Sequence, residues 1–137
     1  MELFALGDEV SVLEARLAKQ TGINCRSPLI VLAWALRQRD CKRALLMADE
    51  AEGMFSAATD DIVKQADVAR LLLIRGEVDW LFADLDTAEA RADAAILLFT
   101  HLGDRIGASD AKWLLASIWL DRGNGRRHSE WLDSAIE

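Results

Sequence analysis

The sequence predicts an all-α fold of about seven helices, which form antiparallel pairs stacked as an α-solenoid. Three observations favour this fold. The chain is rich in Ala and Leu and has one proline, a composition that favours helix over strand. Apolar residues recur at helical spacing between cap signals, and no segment alternates as a strand does. Finally, the chain resembles itself when it is shifted by 44 residues.

The N-terminal part of the chain opens with two predicted helices. The first covers residues 8–21 and carries one apolar stripe, formed by Val10, Leu13 and Leu17. The second begins at Ser27-Pro28, because Ser is a favoured N-cap and Pro loses no hydrogen bond in the first turn. This second helix is expected to end near Gln38.

The next two predicted helices lead into the middle of the chain. Asp40 is the expected N-cap of the third helix, which carries Phe55 near its end and breaks up in residues 57–60. The fourth helix, about residues 62–82, is apolar nearly all round. Such a helix must be covered on several sides, so we expect it in the centre of the stack. A break follows at residues 83–85.

The fifth predicted helix, about residues 87–102, has clear signals at both ends. Asp86 and Glu89 have the spacing of a capping box, in which each side chain accepts a hydrogen bond from the other residue's backbone N–H. Gly103 is suited to the left-handed residue that ends many helices. We therefore expect this helix to pack antiparallel to the fourth.

The last part of the chain is predicted to hold two helices. The sixth begins after Asp104 and stops at residues 122–125, whose sequence RGNG is typical of a break. A seventh, short helix then carries Trp131 and Leu132.

The 44-residue shift matches residues at corresponding places in two helix pairs. Asp40 falls on Asp84 at the turns, and the other matches are Leu29 on Leu73, Ile30 on Ile74, Ala44 on Ala88, Ala48 on Ala92, Ala51 on Ala95 and Phe55 on Phe99. Small residues at four-residue spacing let two helices approach closely. A weaker third copy lies about 40 residues further on. We therefore expect one domain, residues 1–137, with the N-terminal helix and three repeats, about 28–57, 61–102 and 104–136, as the front part of a longer protein.

Composition and charge limit the classes of function. The net charge of −7 argues against binding to nucleic acid or to anionic membranes, both of which need a basic surface. No apolar run approaches the roughly 20 residues of a membrane span, and no signal-peptide pattern follows Met1. Two cysteines are too few for a disulfide framework. We expect a cytoplasmic protein that binds neither nucleic acid nor membranes.

Three segments of the sequence resemble a known type of domain. They are residues 32–52 (LAWALRQRDCKRALLMADEAE), 75–90 (RGEVDWLFADLDTAEA) and 99–124 (FTHLGDRIGASDAKWLLASIWLDRGN). They resemble the TPR-like domain found ahead of bacterial signalling enzymes, such as GGDEF-type diguanylate cyclases and some sensor kinases. The period of about 44 exceeds the 34 residues usual for TPR repeats, and the Gly and Tyr of their first helix are missing. The resemblance implies a sensory or protein-interaction input domain that controls an output domain outside this sequence.

The sequence offers no motif for catalysis, for a cofactor or for a metal. His101 and His128 have no Cys, Asp or Glu at metal-ligand spacing. Cys25 and Cys41 do not form a CxxC pair, and no base is placed beside either thiol. A phosphate-binding glycine loop is also absent from the sequence. We therefore expect no enzymatic activity, no cofactor and no metal site.

Binding of a protein or peptide partner is the remaining hypothesis. Four of the five tryptophans fall in the first helices of repeats, and we interpret Trp80 and Trp119 as core residues and Trp113 as more exposed. Core packing stays open for each tryptophan, and a solvated face for each charge. The candidate partner-binding residues are Arg70, Lys112, Trp113, Trp119 and Trp131, with Arg37 and Arg75 as further cations of a groove for an acidic or C-terminal carboxylate peptide.

The leading hypothesis is a regulatory input domain of a bacterial signalling protein, which acts through a helical-repeat groove or a homodimer interface. If Trp119 and Trp131 are exposed, they would form the dimer interface. The alternative is a free-standing adaptor or chaperone that holds a peptide, and a third hypothesis is a small-molecule sensor. A reading frame that continues past Glu137 favours the input domain, and a stop codon favours the adaptor.

Overall fold

The computed structural model describes residues 10–12, 14–15, 26–55 and 61–136, with the backbone alone for Asp61 and for residues 124–136. Within these ranges every regular element is a helix, so the expected all-α class is confirmed. Residues 10–12 and 14–15, which belong to the predicted N-terminal helix, are helical. The other helices are α1 Arg26–Leu36, α2 Cys41–Glu52, α3 Asp61–Leu81, α4 Leu85–Leu102 and α5 Arg105–Ile136.

Aspartate side chains begin three of these helices. Asp40, Asp84 and Asp104 each accept a hydrogen bond from the backbone N–H three residues later, at 3.2, 3.4 and 2.9 Å. Each bond satisfies a donor that has no partner within its own helix. Asp40 is thus confirmed as an N-cap, and Asp84, its match in the 44-residue shift, has the same role.

The capping box expected at Asp86 and Glu89 is wrong. Helix α4 already begins at Leu85, so Asp86 lies in its first turn. Both carboxylates instead bind Arg122 of α5, with 2.6 Å between Asp86 Oδ1 and Arg122 Nη2. Because Asp84 directly precedes the helix and takes the N-cap position, the two later carboxylates are free to pair with a neighbouring helix.

Two other helix ends differ from the expected positions. Ser27 is not an N-cap, because α1 includes the residue before it, and Pro28 lies in the first turn, where its missing N–H costs no hydrogen bond. Helix α2 ends at Glu52, so Phe55 lies outside it. The break expected in residues 57–60 lies outside the described residues.

The break expected at residues 122–125 is wrong. Helix α5 continues through this segment, so the third predicted repeat is one helix and not a helix pair. Glycine lowers helix propensity by about 1 kcal/mol but keeps its backbone N–H, so it does not force a break as proline does. By contrast, Gly103 ends α4 as predicted, with a left-handed φ of 72°.

The first and third helices lie side by side and run in parallel. Near their starts, Arg26 of α1 pairs with Asp67 of α3 at 2.8 Å. Near their ends, Arg37, just after α1, pairs with Glu77 of α3 at 2.5 Å. Two contacts in the same order along both helices define a parallel pair.

Helices α3 and α5 repeat this parallel arrangement. Arg70 of α3 pairs with Asp110 of α5 at 2.9 Å, and further along both helices Trp80 Nε1 donates to Asp121 Oδ2 at 2.7 Å. The partners in these two contacts are 40 and 41 residues apart in sequence, as they are between α1 and α3. Helices α1, α3 and α5 therefore form one layer.

Helix α4 runs antiparallel to its neighbours in a second layer. Arg91 near its start pairs with Asp79 near the end of α3 at 2.5 Å, while Phe99 near its end packs on Gly107 at the start of α5. Helix α2 likewise packs against two helices, α1 and α3. Helix α3 packs against α1, α2, α4 and α5, as its apolar composition predicts.

The core buries residues that the 44-residue shift matches in the two helix pairs. Six small residues in the second helices of the pairs are completely buried: Ala44, Ala48 and Ala51 in α2, and Ala88, Ala92 and Ala95 in α4. Their first helices bury matching large residues: Leu29 and Ile30 in α1, and Leu73 and Ile74 in α3. Small residues at these positions allow the close approach of each helix pair. None of the helices in the described ranges is both long and apolar enough to cross a membrane.

Candidate functional site

Four charged side chains are buried where α1, α3 and α5 meet. Arg37 Nε donates to Glu77 Oε2 at 2.5 Å, and Arg70 Nη1 donates to Asp110 Oδ2 at 2.9 Å. All four residues are more than nine-tenths buried. Because two cations and two anions face each other, the cluster has no net formal charge. We call these four residues the buried charge cluster.

Trp34 of α1 packs against both arginines of this cluster. The guanidinium carbons of Arg37 and Arg70 lie 3.6 and 4.5 Å from the centre of its ring, within the range of cation–π attraction. Arg70 also lies 4.9 Å from the ring of Phe99, which brings the end of α4 into the same contact. The tryptophan of the first helix is therefore a core residue.

Burial is the main influence on the ionisation of the Arg37–Glu77 pair. Loss of hydration raises the pKa of Glu77 and lowers the pKa of Arg37, because it disfavours the charged form of each group. Their mutual attraction opposes both changes, and a hydrogen bond of 3.0 Å from Gln38 to the Glu77 carboxylate further opposes the rise in the pKa of Glu77. The pair is thus held by close geometry against a large cost of desolvation.

Three of the cations expected in a binding groove are already engaged by carboxylates. Arg37 and Arg70 belong to the buried charge cluster, so the charges that were expected to serve a peptide are each paired within the fold. Arg75 Nη2 lies 2.8 Å from Asp49 and 2.7 Å from Glu52, both in α2. Each of these arginines joins two helices of the fold.

Two depressions meet at the turn between α4 and α5, and we call them together the groove. The smaller, about 270 Å³, is lined by Ser27, Ile30, Val31, Ala66, Asp67, Arg70, Phe99 and Asp104. The larger, about 430 Å³, is lined by Phe99, Thr100, Gly103, Asp104, Arg105, Ala108, Ser109 and Lys112. The groove therefore runs across the first turns of the three parallel helices, and Phe99 and Asp104 line both of its halves.

Two cations give one end of this groove a positive charge. Arg105 and Lys112 are exposed, and neither has a carboxylate partner among the side chains that the structure describes. The acidic residues of the groove are occupied, since Asp67 binds Arg26 and Asp104 caps α5. On a chain of net charge −7, this local excess of positive charge attracts an anionic group.

The tryptophans predicted as binding residues occupy different environments. Trp113 is half-buried and meets the ring of Trp80 edge to face, with 5.7 Å between their centres and 83° between their planes. Trp119 is 60% exposed, so its interpretation as a core residue is wrong. The side chain of Trp131 lies outside the described residues. Lys112 and Trp113 are therefore neighbours on α5, while Trp119 lies two turns further along.

Sequence reasoning missed an apolar stripe on the outer side of α5. Ile106, Ser109, Trp113, Ala116 and Leu120 follow the spacing 3, 4, 3, 4, which places them on one side of a helix. All five are exposed or half-buried. We call them the α5 stripe. The heptad spacing was visible in the sequence, but only the structure shows that four of these residues are exposed and that Trp113 is half-buried against Trp80 of α3.

Neither a metal centre nor a known relative defines the site. Among the side chains that the structure describes, no group of three or more His, Cys, Asp or Glu residues is placed to hold a metal ion. Comparisons of the chain with protein-family models, with curated proteins and with solved structures found no match.

Proposed function

We propose that this chain is a TPR-like, non-enzymatic helical-repeat domain that binds a protein partner in the groove and serves as the regulatory input of a bacterial signalling protein. The observation that carries the proposal is the groove itself, which crosses three parallel helices and ends at Arg105 and Lys112. In helical-repeat proteins, successive repeats together form one extended binding surface.

Two further observations support the TPR-like interpretation. The first helices of the units form one parallel layer, and α2 and α4 each pack against two of them, as the second helices of stacked hairpins would. The same small residues are buried in α2 and α4. The input role rests on the resemblance of residues 32–52, 75–90 and 99–124 to domains of bacterial signalling enzymes.

Helix α5 provides a route from the groove to an attached domain. Its first turns carry Arg105, Ser109 and Lys112, and the helix then runs for 32 residues, or about 48 Å at 1.5 Å per residue. If α5 can adopt two positions, a partner that binds one of them more tightly increases the population of that position, and its difference in affinity for the two positions sets the size of the shift. This gives the groove a way to control an output domain that follows α5.

Peptide display on the whole chain, followed by affinity measurements on the enriched peptides, tests the groove. Ala66 lines the smaller depression and Ala90 is an exposed alanine on α4 outside it, so Ala66→Glu and Ala90→Glu form a matched pair. We expect Ala66→Glu to weaken binding of the enriched peptides by about tenfold or more, and Ala90→Glu to leave it unchanged. Equal affinities for both variants would refute the groove as the binding site.

A further inference from the structure

On two of its sides, helix α5 is not covered by any described helix, whereas the equivalent sides of α3 are covered. Helix α3 packs on α1 and α2 and is then covered by α4 and α5, whereas α5 packs on α3 and α4 and has no following helix pair among the described residues. Its outer side exposes Ile106 and Leu120, at 60% and 65%, and carries the half-buried Trp113 between them. Three large apolar side chains within 15 residues of one helix form a patch of the kind that marks an interaction site.

The spacing of the α5 stripe fits another helix. Its large residues Ile106, Trp113 and Leu120 are seven positions apart, and the small residues Ser109 and Ala116 lie between them. Alternation of large and small side chains leaves gaps into which the side chains of a second helix insert. A flat or extended partner would leave these gaps unfilled.

Charge selects among the helices that could occupy this stripe. Arg105 and Lys112 border it, and neither has a carboxylate partner in the described part of the chain. The nearby acids of α5 are engaged with α3, since Asp110 binds Arg70 and Asp121 binds Trp80. Two copies that paired through this face would bring the free cations of each copy into one interface, which is unfavourable. An acidic helix avoids this repulsion.

We propose that the α5 stripe is the docking site for an amphipathic helix of a partner protein, whose apolar side chains fill the gaps at Ser109 and Ala116 and whose flanking carboxylates pair with Arg105 and Lys112. This site lies on the outer side of α5. It shares Arg105, Ser109 and Lys112 with the α5 end of the groove and includes none of the groove lining on α1 and α3. The fold already contains a contact of this type, because α4 covers α3 and is tied to it by the Arg91–Asp79 pair. The partner's helix would pack on α5 as α4 packs on α3.

Two synthetic peptides of three heptads test the proposal on the whole chain. Both carry Leu at the a and d positions, one has Glu at e and g, and the other has Lys. We expect the Glu peptide to bind about tenfold more tightly than the Lys peptide in fluorescence anisotropy. Lys112→Glu should weaken binding of the Glu peptide and strengthen that of the Lys peptide, because it reverses the charge beside the stripe.

Matched leucines separate the stripe from general hydrophobic adhesion. Leu120→Asp should weaken binding of the Glu peptide by about tenfold, whereas Leu46→Asp should leave it unchanged, although Leu46 on α2 is 60% exposed. Thermal melting verifies that both variants remain folded. Equal affinity for the two peptides, or equal losses in the two variants, would overturn the proposal.

Two further measurements distinguish an acidic helix on the stripe from a second copy of the chain and from a peptide in the groove. A dimer in light scattering that Leu120→Asp abolishes would show that the stripe binds a second copy, and would overturn the proposal of an acidic helix. The groove variant Ala66→Glu should leave the affinity for the Glu peptide unchanged. Loss of that affinity in Ala66→Glu would place the peptide in the groove and overturn docking on the stripe, while leaving the function proposed for the groove intact.

Discussion

Removal of Arg37 alone should destabilise the fold more than removal of Arg37 together with Glu77. Arg37→Met leaves the carboxylate of Glu77, which is completely buried, without its cation. Breaking a buried ion pair in this way costs about 3–5 kcal/mol. Total stabilities of domains are about 5–15 kcal/mol, so the single variant loses a large part of its stability.

The double variant Arg37→Met/Glu77→Leu removes the stranded carboxylate as well. The contacts of Arg37 with Trp34, a hydrogen bond of 2.7 Å to its carbonyl oxygen and packing over its ring, are lost equally in the single and the double variant. The difference between the two variants therefore measures the cost of the buried carboxylate less the stabilisation from its hydrogen bond with Gln38. Apolar replacement of a whole buried pair is often neutral, so we expect the double variant to regain about 2–4 kcal/mol.

The pH dependence of Arg37→Met provides an independent check. Burial already raises the pKa of Glu77 above its ordinary value, and removal of Arg37 removes the attraction that opposes this rise. A group whose pKa is higher in the folded state contributes stability below its unfolded pKa and loses it as pH rises through the folded pKa. The single variant should therefore lose stability as pH rises above the ordinary range of a Glu carboxyl, and the double variant should lack this slope.

Urea unfolding, followed by circular dichroism and by tryptophan fluorescence, measures these free energies. Coincident transitions by the two probes establish that unfolding is two-state. A loss of less than about 1 kcal/mol in Arg37→Met, or a double variant no more stable than the single one, would refute the reasoning. Either result would mean that water reaches Glu77 when Arg37 is removed.

Three further predictions concern the packing of the helices. Ala92→Leu should lower stability by about 1–3 kcal/mol in thermal melting, because it overfills the contact between α3 and α4, and an unchanged melting temperature would contradict that contact. Gly107→Ala should cost about 1–3 kcal/mol, since its Cβ would overlap the phenyl ring at the end of α4, whereas Gly123→Ala has open space and should gain about 0.5–1 kcal/mol. In urea unfolding, Asp84→Ala should lower the free energy of unfolding by about 0.5–2 kcal/mol, and Asp86→Ala should lower it by clearly less. A larger loss in Asp86→Ala than in Asp84→Ala would show that Asp86, and not Asp84, is the N-cap.

Sequence alone predicted those parts of the fold that depend on neighbouring residues. Asp40 and Gly103 mark helix ends because the hydrogen bonds that they satisfy lie within a few residues. Ala48 and Ala92 mark helix contacts because a small side chain has few other reasons to recur at that spacing. The break predicted at residues 122–125 is absent because glycine lowers helix propensity without preventing helix formation. Whether this segment is helical therefore depends on the rest of α5.

The candidate site was less predictable because it depends on contacts between distant residues. The sequence suggested that Arg70 could bind another protein, but Arg70 pairs with Asp110 of the same chain. Since these two residues are 40 positions apart in sequence, no local pattern predicts the pair. Trp119 was expected in the core because it lies in an apolar run of the sequence. It is 60% exposed instead, since α5 continues through residues 122–125 and no described helix covers this side chain.

The buried charge cluster also explains how the groove keeps its shape. Apolar contacts between parallel helices are non-directional and tolerate sliding, whereas the pairs Arg37–Glu77 and Arg70–Asp110 hold only when both partners are aligned. A shift of α3 by one helical turn, about 5.4 Å, would separate both pairs and strand four buried charges. The cluster therefore fixes the register of α1, α3 and α5, whose first turns line the groove. For the proposed input function, a fixed register favours a mechanism in which α5 moves as a rigid unit over one in which the helices slide past each other.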